Sequence, residues 1–271
     1  MGKIRRRAAR WWSQQSSVPP LSESYGEIRN WFSSNLGNEL LSQELAVAQP
    51  LIEQFFGYHL LQASVAPDVD LAASSRINHR FRLSPVAEAS GEAVADLNHL
   101  PLPEGSVDVV VLHHLLDFAE DPHQLLREAA RVLIPNGHLV LIGFSPYSLM
   151  GIYRAVGRVF SSRPHFRGNS LSLSRVTDWM KFLDLQPGNI EKGFFRWPVQ
   201  HGEILAQTSW MERQAARWRL PWGGFYLIVA RKEVVRMQAI KPNWQRKHTP
   251  ALGMVPSSSR VTEAARNKPR D

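Results

Sequence analysis

The chain is 271 residues long, 44% hydrophobic and 21% charged, with a formal net charge of +8. That is a globular profile with ample apolar material for a core, and no apolar run approaches the roughly 18 residues of a membrane-spanning helix. Cysteine is absent, which excludes disulfides, thiolate metal sites and a cysteine nucleophile. The Arg-rich start lacks the apolar stretch of a secretory signal, so a reducing, cytoplasmic setting is expected.

The charge is concentrated at the ends. Residues 1–12 carry Lys3, Arg5, Arg6, Arg7 and Arg10 with no acid, a sum of +5, and residues 236–271 carry +6, which leaves −3 for residues 13–235. A nucleic-acid-binding fold carries its positive charge on the domain itself. Nucleic acid or anionic lipid is therefore expected to meet only the basic tails.

Residues 1–30 read as a basic tail followed by a polar, Ser- and Pro-containing linker. From Trp31 to Phe56 the apolar residues Leu40, Leu41, Leu45, Leu51, Ile52 and Phe55 recur at helical spacing, and Pro50 is placed to open a second helix in its first turn. The period then changes. Short β-type runs occur at Tyr58–Leu61 and Phe81–Leu83, and stronger ones at Val107–Leu112 (VDVVVL) and His138–Phe144 (HLVLIGF). They alternate with helix-length intervals, the pattern of an α/β fold with a mostly parallel sheet.

The clearest unit is 107–144. The 25 residues between its two strands suffice for a parallel crossover. Asp121 is placed as N-cap, Pro122 at the first helical position and Gln124 two residues on, with Leu125, Leu126, Ala129, Val132 and Leu133 as the apolar stripe. Further on, Leu173–Leu185 reads as a helix, and Ile190–Trp197 and Gly224–Val229 as strands separated by a Trp-bearing polar segment. Residues 31–235 are expected to form the folded domain, and 236–271 a Pro-, Ser- and Lys/Arg-rich tail without periodicity.

The stretch Asp96–Phe144 resembles the class I S-adenosylmethionine-dependent methyltransferases, specifically the methyltransferase type 11 group. Asp96-Leu97, LPLPEGSVD, Leu112-His113-His114, Asp121-Pro122 and the run Arg131–Gly137 (RVLIPNG) match that group in order and spacing. The segments Trp31–Glu44 and Gly143–Arg154 look like an uncharacterised bacterial branch of it. The resemblance implies a Rossmann-like, mostly parallel seven-stranded sheet with flanking helices. It also implies S-adenosyl-L-methionine as cofactor and an unidentified methyl acceptor, with a small molecule favoured.

The same resemblance carries roles to particular residues. Asp96 and Leu97 are expected at the adenine, and Leu112 and His113 along the cofactor at the carboxyl edge of the sheet, where open α/β sheets bind ligands. His114 is the candidate base, and Asp117 is placed either to orient it or to cap a turn. Gln62, Ala63 and Ser64 occupy the place of the family's acidic residue and glycine-rich turn, yet the run LLQASVAP (Leu60–Pro67) contains no glycine. Arg82 stands where a carboxylate usually grips the ribose hydroxyls; a guanidinium only donates hydrogen bonds and cannot replace that acceptor. Two readings follow: a methyltransferase with altered cofactor contacts, or a non-catalytic binding or scaffold protein on the same fold. No His and carboxylate spacing typical of a metal site is evident, so no metal is expected.

Overall fold

A computed structural model describes residues 18–66, 68–87, 93–198 and 222–233. The basic tails at 1–12 and 236–271, and the segment between Pro198 and Trp222, lie outside the described residues.

Two helices come first, α1 (Leu21–Phe32) and α2 (Asn35–Ile52). Residues 21–30, expected as linker, are thus helical. Tyr25, Ile28, Trp31 and Phe32 form a buried stripe, and the polar residues between them hide it from a reading by composition. Ser34 caps α2 by accepting from the Gly37 N–H. Pro50 lies in the last turn of α2 and opens no second helix. Its missing N–H falls where few intrahelical bonds remain to be made, so the helix simply stops two residues later.

The sheet comprises β1 (His59–Ser64), β2 (His79–Ser84), β3 (Ala93–Val94), β4 (Val107–His113), β5 (Leu133–Phe144), β6 (Leu185–Gly193) and β7 (Phe225–Lys232). Their spatial order is β3-β2-β1-β4-β5-β7-β6. Strands β1 to β5 pair in parallel, and β7 runs antiparallel to both β5 and β6. This is the expected α/β, Rossmann-like arrangement, with Val109–Leu112 buried in the sheet centre because helices cover both faces.

Between β4 and β5 lie the short α3 (Leu115–Phe118) and α4 (Pro122–Val132). Asp121 caps α4 as the sequence suggests, its carboxylate accepting from Gln124 N at 3.0 Å. After β5 comes α5 (Leu149–Phe160), absent from the sequence reading, and then α6 (Leu173–Phe182). The expected strand at 190–197 begins earlier, at Leu185, and ends at Gly193. Left-handed residues bracket it: Asp184 has φ 56° and Phe194 φ 62°. Those backbone angles end both helix and strand, whatever the hydropathy of the neighbours.

Candidate active site

Strand β4 delivers His113 and His114 to the carboxyl edge of the sheet. His114 adopts left-handed angles (φ 54°, ψ 10°) to turn the chain into α3. Such angles are uncommon outside glycine and asparagine and persist where surrounding contacts fix them. The contacts here are dense, with Asp117 Oδ1 the one carboxylate oxygen of the cluster left without a hydrogen-bond partner. Glu44, in mid-α2, accepts from His113 Nε2 at 2.9 Å on one carboxylate oxygen and from His114 Nε2 at 2.7 Å on the other. His114 Nδ1 meets Asp117 Oδ2 at 2.8 Å, and that oxygen also accepts from Phe144 N at 3.0 Å. His113 Nδ1 meets Ser64 Oγ at 2.7 Å. All of these side chains are buried.

The bonding pattern assigns the protons. His114 is doubly protonated and donates to both carboxylates, while His113 carries its proton on Nε2 and its Nδ1 competes with Ala66 O for the single Ser64 hydroxyl proton. Burial alone raises the Glu44 carboxyl, but the His114 charge and the two imidazole hydrogen bonds win and bring it down to about 2. Burial likewise opposes the His114 charge, yet Glu44 and Asp117 lift it to about 9. Burial dominates for His113 and lowers it. The donor atoms of Glu44, His113 and His114 lie within 4.8 Å of one another, a set that could hold a metal ion. The two Nε2 atoms of this set each stand at hydrogen-bond distance from a Glu44 oxygen, so hydrogen bonds to Glu44 account for the same geometry.

The lid over this cluster comes from α1 and α5. The Phe32 ring lies 5.6 and 5.4 Å from the rings of His113 and His114, and Tyr25 Oη donates to Ser64 O at 3.2 Å. Arg154 of α5 is buried with its guanidinium 4.2 Å from the Phe144 ring centre and 5.4 Å from Phe118. Stacked beside Trp31, His165 is pushed down to about 4 by burial and by Arg163 and Arg154.

These shifts set a pH window. His114, raised in the fold, stabilises fully below its ordinary value of 6.5, and that stabilisation is lost as pH rises through about 9. His113 and His165, lowered in the fold, withdraw stability as pH falls below 6.5. Glu44 does the same below its ordinary 4.5. Thermal melting across pH is expected to peak near 6.5 and decline on both sides; a profile still rising at pH 9 would remove His114 from this account.

An open cavity of about 420 Å³ lies at the other half of the carboxyl edge, lined by residues that include Leu21, Ser22, Pro85, Val94, Asp96–Asn98, Ala119, Glu120 and Leu125. Asp96 makes a turn there, accepting from Asn98 N at 2.9 Å and pairing with His99 at 3.0 Å. Arg131 and Glu128 hold the following loop: Arg131 donates to Leu100 O and Leu102 O, and Glu128 accepts from Leu100 N.

The expected site residues therefore divide into two groups. Asp96 and Leu97 line the cavity. Leu112, His113, His114, Asp117, Ala63 and Ser64 are buried away from it, and the strand tip Ser64–Ala66 is sealed beneath Tyr25. Gln62 is structural in its contacts, donating to Val69 O and accepting from Leu71 N to fix the loop after β1. Arg82 sits opposite Gln62 in the register, two residues before the end of β2, and is not among the cavity residues. His114 and Asp117 do pair, but both ring nitrogens of His114 are engaged and His114 is not among the cavity residues. Glu44, Arg154 and Glu120 were not anticipated. Glu44 alone left a trace, as an acid on the apolar stripe Leu36, Leu40, Leu41, Ala48, Ile52, where a charge signals a buried partner.

The methyltransferase-domain family matches residues 51–141. The chain belongs to this methyltransferase-domain family, the type 11 group. Among its relatives is the uncharacterised protein YafS of Escherichia coli (strain K12), 31% identical over 217 residues that cover 78% of this chain and 83% of that protein. A SAM-dependent methyltransferase from Thermotoga maritima superposes with a TM-score of 0.59 at 17% identity, over 79% of this chain and 98% of that one. The methyltransferase solved with the Haloferax volcanii Trm112 activator gives 0.54 at 18% identity, over 76% and 98%. At such identities the structural likeness speaks for the fold alone.

Proposed function

We propose that the chain binds S-adenosylmethionine with its adenosine end in the open cavity and transfers the methyl group to an acceptor. The observation that carries this reading is the cavity at the carboxyl edge of β2 and β3, with Asp96 and Leu97 in its wall. Its volume suits a small-molecule site. Val94, Leu97 and Leu125 offer apolar walls to a flat ring, while Asp96 and Glu120 offer carboxylate acceptors to amino and hydroxyl groups. Glu120 would thereby supply the acceptor that Arg82 cannot. When bound, the cofactor supplies an electrophilic methyl on a sulfonium. The chain's part is to orient it and exclude water. His114 and Asp117, sealed under Glu44 and Phe32, act here as positioning residues for the end of β4.

The second reading, a non-catalytic binding protein, draws on the sealed strand tip Ser64–Ala66, where the family brings its backbone against the methionine part. Calorimetric titration with S-adenosylhomocysteine separates the two. Measurable binding is expected, weakened by about 0.5–1.5 kcal/mol in Asp96→Ala through loss of one hydrogen bond. Neither heat nor a thermal shift at millimolar ligand would hand the protein to the second reading.

A further inference from the structure

Helix α5 (Leu149–Phe160, LMGIYRAVGRVF) is apolar on two faces. The inner face is accounted for. Met150 and Arg154 are buried, Tyr153 packs edge-on to Phe166 with ring centres 5.3 Å apart, and a Cβ at Gly157 would stand 2.2 Å from that same ring, so glycine lets the helix lie close. The outer face carries Ile152, Val156, Val159 and Phe160, spaced i, i+4, i+7 and i+8 on one stripe. They are 59%, 51%, 65% and 85% exposed, and Tyr147, just before the helix, is 76% exposed. A water-facing stripe on a soluble domain ordinarily bears charge, and four large apolar side chains in a row mark a contact surface.

The charge around the stripe says what it would contact. From Leu133 to Thr177 the sequence contains Arg154, Arg158, Arg163, Arg167 and Arg175 and not one Asp or Glu. Arg158 flanks the stripe on α5 itself, and Arg163 follows three residues beyond its end, exposed. An apolar stripe bordered by arginines within an acid-free stretch of this length is complementary to an interface that is both greasy and negative. We propose that α5 is a membrane-association helix, lying flat on an anionic lipid surface with Ile152, Val156, Val159 and Phe160 among the acyl chains and Arg163 at lipid phosphates. No helix among the described residues is long and apolar enough to cross a bilayer, so the association is peripheral. It is also independent of the methyl-transfer reading, since no residue of the cavity takes part.

Flotation of the full chain with vesicles tests this. The chain is expected to float with phosphatidylcholine–phosphatidylglycerol vesicles, weakly with phosphatidylcholine alone, and less well as salt is raised. The combined variant Ile152→Ser, Val156→Ser, Phe160→Ser is expected to lose at least tenfold in partitioning with an unchanged melting temperature. Phe160→Ser alone, at the most exposed position, should show part of that loss. Three outcomes would overturn the proposal. If the triple variant floats like the wild type, the basic chain ends do the binding. A melting temperature that collapses in the triple variant means the stripe is packed by the chain's own residues. A lipid-free dimer that the same substitutions dissolve assigns the stripe to a second copy.

Discussion

Glu44→Ala is expected to lower the unfolding free energy by about 3–5 kcal/mol, the range for removing one partner of a buried charge pair. The reason is what remains behind. The His114 imidazolium would keep Asp117 but lose the carboxylate on its other nitrogen, and the His113 Nε2–H would be buried with no acceptor. Glu44→Gln does not repair this, because its amide oxygen accepts from only one of the two imidazole N–H groups while its NH₂ faces the other. Glu53, at the end of the same helix, provides the contrast. It pairs with Arg76 at 3.4 Å with both side chains about half exposed, and Glu53→Ala should cost only about 0–1 kcal/mol. Urea unfolding of the two variants gives the comparison directly. Equal losses would show that burial does not set the energetics of the Glu44 cluster.

Ala119→Trp is expected to weaken S-adenosylmethionine binding by about a hundredfold or more, close to 3 kcal/mol. Ala119 lies where the chain leaves α3 and forms part of the cavity wall, so an indole there takes up space the ligand needs. Because Ala119 is itself buried, the indole also presses on packed core, so the melting temperature is expected to fall as well, and binding is compared at a temperature where the variant is folded. Undiminished binding in a folded Ala119→Trp protein would place the cofactor elsewhere and with it remove the role given to Asp96 and Glu120.

The βαβ unit from Val107 to Phe144 was legible because everything that defines it is local. The β-branched run, the Asp121 cap with Pro122 behind it, and the stripe Leu125, Leu126, Ala129, Val132 each act within a few residues. Asp96 and Leu97 were singled out by the resemblance to the methyltransferases, and both line the cavity. Helix α1 escaped notice because its buried stripe is diluted by Ser, Glu, Arg and Asn.

The fold class and the pairing of β4 with β5 were thus within reach of short-range pattern. The partners of the two histidines were not. Glu44 reaches His113 and His114 across 69 and 70 residues of chain, and no local pattern carries such a pairing. The packing of α1 and α2 over β1 and β4 then turns an expected catalytic edge into a sealed polar core. The physical reason is that a histidine's role follows from which groups meet its two nitrogens and whether water can, and both are fixed by the packing of distant helices.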